Sequence, residues 1–551
     1  MNSKPTNTFP IKLILLAIAT AALTIYFIYA QLMRQSFLVF IPLLALIGIV
    51  LLTKRYTSIN ALMIKILLFS ILIYFCIDYG IFFTRGVGTQ VIGFFIVIFV
   101  FILFFNPKLM TYLNLFFIFF IPSANLGAKG TKEQDTLIDS IGTMFGRGQG
   151  KYGISYVNLL LILTAISIII FQMIIKKQED KGKIQCNLYK YFRLINAVFI
   201  IYMLWGIGLG IKKIDILSPM GVINITNLTI FVFIMHRLFR TEKDLEQLKI
   251  FFLGSMLARG LFSIIRFIFF GGDPRNSYAN YDNLLSVHMS MQDIGDGLIQ
   301  FIALFYALWV LFISGDRIIS RKETLFYWMV ASVGLFNIVF SYRRTAWFGL
   351  LLALTWLIHN LQFRNKITAV FITIILGATI FTGVAANRFN KNAAKQINQG
   401  MFSDLVDKKG DIAIKEGRFG ELYMAWQTIK DNLIFGVGPW GKYQFNIKDS
   451  SVRSSFVHNS FLFMLLKMGL VGLFLFISIF YSYIHFWLKK RKTISMHARG
   501  FAEASFAGFI FFIPHIVGGT PIIEYRHMIL IGFCISVPYI IYHIDKSHKA
   551  V

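Results

Sequence analysis

Long apolar blocks constrain this chain more than any other feature. Ile11 to Ala30, Val91 to Phe105 and Ile367 to Ala385 are three of many. Each is long enough, or nearly so, to cross a ~30 Å hydrocarbon core as a helix. A strand-built barrel would show short alternating segments instead, and none stand out. Only 15% of the 551 residues are charged, whereas soluble domains carry about 25%. Mean hydropathy is +0.68. The expected fold is all-α, a polytopic bundle of transmembrane helices.

Ile11 to Ala30 is read as a retained first helix, because no small-residue cleavage site follows it. Cys76, Cys186 and Cys534 are scattered and suggest neither a disulfide framework nor a metal-ligand spacing. The formal charge of +28 does not point to nucleic acid, since many basic residues sit in short connectors between apolar blocks. That is where anchors beside anionic membrane lipids are expected.

The richest basic connectors are Lys176 to Arg193, Arg237 to Lys249, Arg317 to Lys322 and Lys489 to Arg499. Placing them inside puts both termini in the cytoplasm. Counting crossings gives roughly sixteen helices, or twelve to fourteen under a strict ~20-residue span. Three longer segments then lie outside: Ser123 to Gly153, Gly271 to Gly297, and the large loop Asn387 to Val457. Within the last, Leu422, Ala425, Trp426, Ile429 and Leu433 recur at helical spacing. The chain is read as N-terminal helices over 1–249 and a core over 250–551 that includes outer loop 387–457.

Several residues stand out chemically. Arg259 and Arg266 lie within the apolar run Ile250 to Phe270. Seven residues apart, they share a helix face about 10 Å apart, a pair of guanidinium forks suited to a diphosphate. The plainer alternative is that Arg266 snorkels outward and Arg259 pairs with a buried carboxylate such as Asp78. Arg343 and Arg344 stand at an outward-facing hairpin, Ser341-Tyr-Arg-Arg-Thr-Ala-Trp347. There a double arginine runs against the positive-inside rule unless it binds an anion or anchors to headgroups. In the large loop, Arg418 can meet an anion, and Trp440 and Tyr443 can stack on sugar faces. The cluster Gly436-Val-Gly438-Pro-Trp440-Gly441 marks a tight turn; a purely structural cap of the loop fits it equally. His458 begins the next span in Val457-His-Asn-Ser-Phe461. A histidine suits general-base work near neutrality, although a lone interface histidine is more often structural. No P-loop, GxSxG, HExxH or cysteine pair occurs, and no outer D-x-D is present to hold a divalent metal. The expected chemistry uses histidine and arginine, with no metal and no cofactor.

His458-Asn459, nine residues, then Gly469-Leu-Val-Gly472 gives H-N-x9-G-x-x-G. This pattern after a long outer loop resembles the bacterial O-antigen ligase and polymerase superfamily. Ser341 to Ala346 looks like that family's arginine-bearing hairpin. Arg418, eight residues before Trp426 and followed by Gly436-Val-Gly438, looks like its loop signature. The resemblance covers roughly residues 250–545.

The resemblance implies a bundle of the C-type glycosyltransferase kind with a large extracytoplasmic loop. It implies inverting, metal-independent transfer of a glycan from a polyprenyl-diphosphate carrier, on the outer face of the bacterial cytoplasmic membrane. The acceptor would be a lipid-core sugar or protein for a ligase, or another repeat unit for a polymerase, with the ligase slightly preferred. His458 would be the base. Arg259, Arg266, Arg343, Arg344 and Arg418 would meet the diphosphate, and Trp440, Tyr443 and Asn459 would touch glycan. The double arginine leaves open whether Arg343 or Arg344 fills the single family position. A lipid-linked glycan flippase is the alternative from another class; it too would have many helices and a basic cavity, but needs no structured loop ending in a histidine.

Overall fold

A computed structural model describes residues 106–120, 156–170, 184–269 except 185 and 219, 294–313, 320–360 except 342, 418–447 and 450–549. The expectations for Ile11 to Ala30, Val91 to Phe105, Ile367 to Ala385, Ser123 to Gly153, most of Gly271 to Gly297, and the first part of the large loop lie outside the described residues. So does Asp78. The chain divides into two compact units, 1–110 with 163–181 and 111–162 with 182–551. The contacts described below all lie within the second.

The described residues form an all-α polytopic fold. The helices are α1 (Pro107–Phe120), α2 (Tyr156–Ile170), α3 (Tyr189–Gly208), α4 (Ile223–Leu238), α5 (Glu242–Phe269), α6 (Ile294–Phe312), α7 (Arg321–Val339), α8 (Arg344–Asn360), α9 (Arg418–Lys430), α10 (Ser460–Lys490), α11 (Met496–Gly518) and α12 (Tyr525–Lys549). Six of them, α3, α5, α6, α10, α11 and α12, are long and apolar enough to cross a membrane. Helices suit that setting because they satisfy their own backbone groups where water is absent. The sequence also marks their starts. Ser320 and Glu323 form a capping box on α7, with Glu323 N–H donating to Ser320 Oγ at 3.2 Å and Ser320 N–H to Glu323 Oε2 at 3.0 Å.

Helices α6 and α12 are the most enclosed. Helix α6 packs against α7 and α11, α12 against α4 and α11, and α8 against α11. On α10, Leu470, Phe474, Ile477 and Tyr481 turn outward, as do Ile201, Leu204 and Trp205 on α3. These spacings of three and four residues mark apolar stripes on single helix faces.

Side-chain contacts define the two ends of the bundle. At one end, Trp356 of α8, Trp487 of α10 and Glu503 of α11 meet, and Lys549 of α12 reaches the Thr493 carbonyl. The opposite end gathers the start of α6, the segment 457–460 before α10, and residues 517–526 between α11 and α12. The only strands among the described residues, β1 (Tyr443–Ile447) and β2 (Ser450–Ser454), pair antiparallel from Tyr443↔Ser454 to Ile447↔Ser450. They follow α9 and lead into His458.

Candidate functional site

Helix α9 forms where the loop's apolar periodicity predicts a helix, but its buried stripe is Glu421, Ala425 and Ile429, while Trp426 and Leu433 are exposed. A carboxylate therefore sits on the inward face of the helix, and it meets His458. The Glu421 carboxylate takes two hydrogen bonds from the histidine: backbone N–H to Oε1 at 2.8 Å, and ring Nδ1 to Oε2 at 2.6 Å. An ionised carboxylate only accepts, so Nδ1 is the donor, and in the neutral ring the lone pair then falls to Nε2. The Phe456 ring stands edge-on to the imidazole at 4.3 Å. The imidazole remains 37% exposed while Glu421 is 10% exposed. The accessible side of the imidazole is thus presented by a group that is itself held.

The residues around His458 are pinned from two sides. Thr520 donates its hydroxyl to the Val457 carbonyl. Ser460 donates to the Gly519 carbonyl at 3.2 Å. Asn459, expected as a glycan contact, caps α10: its Oδ1 accepts from Phe461 and Leu462 N–H at 3.0 Å each, and its Nδ2 donates to the Val517 carbonyl at 2.9 Å. Such a cap is worth about 1 kcal/mol to a helix. Tyr443, expected as a stacking platform, is buried in β1 with its hydroxyl donating to the Phe456 carbonyl at 2.8 Å. Burial pushes its phenol above the usual range. Enclosed in this way, the ring supports the segment before His458 rather than offering a face.

The arginines divide. Arg259, expected at the diphosphate, is buried in α5 and faces Asp296 in the first turn of α6, with its terminal nitrogen 3.1 Å from Oδ2. The alternative of a buried carboxylate partner is what the structure contains, with Asp296 as the carboxylate. Arg526 of α12 reaches the same carboxylate at 2.6 Å and donates Nε to the Ile118 carbonyl at 2.7 Å. Asp296 thereby ties α5, α6 and α12 together close to an N-terminus whose dipole favours an anion. Arg343 precedes α8 and is partly exposed; its N–H lies 3.4 Å from Ser341 Oγ. Arg266, Arg344 and Arg418 have described backbones within α5, α8 and α9, but their side chains lie outside the described residues. Arg266 comes two turns after Arg259, nearer the His458 end of the bundle.

The Gly/Pro cluster adopts a tight turn, as its composition predicts. Gly436 and Gly469 both have left-handed backbones, with φ of +69° and +61°. A Cβ on Gly436 would come within 2.6 Å of the Gly469 nitrogen, and one on Gly469 within 2.2 Å of the Ile434 carbonyl oxygen. The two glycines of the loop and helix motifs thus meet each other at a kink in α10. Trp440 lies edge-on to Trp205 of α3 at 6.3 Å.

Sequence reasoning missed Glu421, Asp296, Arg526 and Lys467. Three signals were present: a carboxylate in helical register with Ala425 and Ile429, an aspartate opening an apolar span, and a lysine inside another. Lys467 is buried in α10 and donates to the Gly441 carbonyl at 2.6 Å.

No curated protein matches the chain. A family model described as O-Antigen ligase matches residues 329–477. That stretch contains the arginine hairpin, α9 with Glu421, the β-hairpin, His458 and the kink at Gly469. The match over residues 329–477 supports placing the chain in the O-antigen ligase and polymerase superfamily, and with it glycosyltransferase-type activity in general, on a lipid-linked glycan and an acceptor.

Proposed function

We propose that the protein transfers a glycan from a polyprenyl-diphosphate carrier to an acceptor hydroxyl on the outer face of the bacterial cytoplasmic membrane. The observation that carries this reading is the double hydrogen bond between Glu421 and His458. It fixes the ring and its tautomer and leaves Nε2 to accept a proton. The acceptor hydroxyl gives its proton to His458 Nε2 as its oxygen bonds to the anomeric carbon. The bond from that carbon to the phosphate oxygen breaks, and the diphosphate leaves with the electron pair. A single displacement of this kind inverts the anomeric centre.

Charge on the departing diphosphate is met by Arg266, Arg418 and one or both of Arg343 and Arg344. Arg259 acts at one remove, holding α5 to α6 through Asp296 so that Arg266 keeps its position. Trp440 is the aromatic residue proposed to contact glycan. The basic connectors face the cytoplasm, and 250–551 is the catalytic core, with 1–249 as flanking helices. The acceptor is a lipid-core sugar or protein, as for a ligase; a polymerase differs in acceptor and not in reaction.

The test is transfer by purified full-length protein in excess chelator. His458→Gln should bind the polyprenyl-diphosphate glycan like wild type yet lose about 10²- to 10⁴-fold in transfer rate, because an amide cannot take the proton. Wild type should be indifferent to the chelator. A His458→Gln variant that matches wild type makes the histidine structural and favours a flippase.

A further inference from the structure

The stretch from Asp431 to Gly441 runs down the side of α10 instead of covering its end. Val437 N–H donates to the Leu466 carbonyl at 2.8 Å, and Leu470 N–H to the Leu433 carbonyl at 2.9 Å. Val471 N–H donates to the Ile434 carbonyl at 3.4 Å. These bonds exchange helix partners for turn partners at the Gly469 kink, nine residues after Ser460 and so about 14 Å along the helix. The Phe435 carbonyl accepts from the Tyr202 hydroxyl of α3, and the Gly441 carbonyl from Lys467. Four carbonyls of the turn are therefore satisfied by helices rather than by water, the condition under which irregular backbone is tolerated at membrane depth.

The side chains on the outside of this turn are apolar. Ile434 is 59% and Phe435 60% exposed, and Leu433 is exposed as well. The turn's backbone bonds to Tyr202 of α3 and to Leu470 and Val471 of α10, and those two helices carry the outward residues Leu204, Trp205, Leu470 and Phe474, so outward apolar residues run over helix, turn and helix. Facing water, such a strip would be an unusually large exposed patch. Its continuity with the outward stripes of two candidate spanning helices identifies the occupant as acyl chain.

The turn also joins α9 to β1, and α9 packs against both α10 and β1. We propose that residues 433–437, within this turn, form a re-entrant tip that reaches into the acyl chains of the membrane, with Ile434 and Phe435 in contact with lipid, and that this anchorage sets the position of Glu421 against His458. The second half rests on the transferase reading above; the first rests only on the chain spanning a membrane.

The experiment uses full-length protein, with Cys76, Cys186 and Cys534 replaced by alanine, in nanodiscs of phosphatidylethanolamine and phosphatidylglycerol. A fluorophore on Phe435→Cys should be quenched by lipids brominated along their acyl chains and spared by aqueous iodide. One on Lys442→Cys should show the reverse. Iodide quenching at position 435, or disulfide cross-linking between two copies there in place of lipid quenching, overturns the anchorage. In the native-cysteine protein, Phe435→Asp should lower kcat about tenfold, the scale expected when a group that orients a reactive side chain is displaced. KM for the carrier should be unchanged, and Phe435→Leu should restore the rate. Lipid quenching at 435 together with an unchanged kcat in Phe435→Asp overturns the link to Glu421 alone. Loss of lipid contact is read without any transfer assay, so it is distinguishable from failure of the transferase reading.

Discussion

The two ends of the helical bundle use a buried carboxylate in opposite ways. At one end Glu503 of α11 is sealed. Arg491 and Arg499 lie 3.2 and 3.4 Å from it, and Trp356 and Trp487 donate their indole N–H groups at 2.9 and 3.4 Å. Arg491 also stacks over Trp356 at 4.4 Å. Every neighbour is a strong donor or an aromatic face, and the cluster closes on itself. At the other end Glu421 holds His458 by two bonds, lies beside the Tyr443 hydroxyl, and leaves a third of the imidazole in the open. The first carboxylate ties three helices together with none of its partners exposed. The second orients a side chain that stays accessible. Asp296 is the instructive intermediate: it has the composition of the Glu503 cluster, with two arginines, but it lies at the His458 end and fixes α5, the helix that carries Arg266.

The contrast breaks most completely if the ends face the wrong compartments. In intact spheroplasts, an impermeant thiol reagent should label Lys442→Cys fully and leave Lys492→Cys unlabelled until the membrane is opened. Both native lysines are exposed in the structure. The opposite pattern would put His458 in the cytoplasm, away from an outer-face acceptor.

The arginines come next in size. Arg266→Ala, or Arg343→Ala with Arg344→Ala, should lower transfer about 100-fold by removing charge-assisted bonds to the leaving diphosphate. Lysine should restore it only in part, since an ammonium cannot make the bidentate contact. The measurement is initial rate with purified carrier substrate. Full activity in the alanine variants would leave these residues as anchors.

The smallest effect on rate belongs to the sealed end. Glu503→Gln should leave transfer per folded molecule unchanged and lower the thermal midpoint, the signature of about 3 kcal/mol lost when one partner of a buried ion pair is removed. Thermal melts beside rate assays check both halves. A drop in rate without a drop in midpoint would mean that the two ends communicate.

How much of this was legible in the sequence depends on how local each feature is. The helices, the hairpin arginines and the position of His458 at the head of a span are written in composition and short-range pattern. The Glu421 contact is not, because it lies 37 positions from His458; the sequence held only a hint, a carboxylate in helical register with Ala425 and Ile429. The same holds for Gly436 and Gly469. Each was visible as a motif glycine, but their close approach arises from the way the turn folds down α10. Arg259 was legible as costly and in need of a partner, while the partner, Asp296, came from a helix whose packing the sequence does not specify. Asn459 and Tyr443 were legible as neighbours of His458, but the cap and the prop they supply were not, because a polar side chain in such a place serves as readily to cap or prop as to bind.

The central claim is that Glu421 works through His458, and the most direct test is a double-mutant cycle on transfer rate. Glu421→Gln alone should cost about 10- to 100-fold, and His458→Gln more. If the carboxylate acts only by orienting the imidazole, the variant carrying both substitutions should be no slower than His458→Gln alone, because without the base there is nothing left to orient. Losses that multiply would contradict the claim and give Glu421 a task of its own.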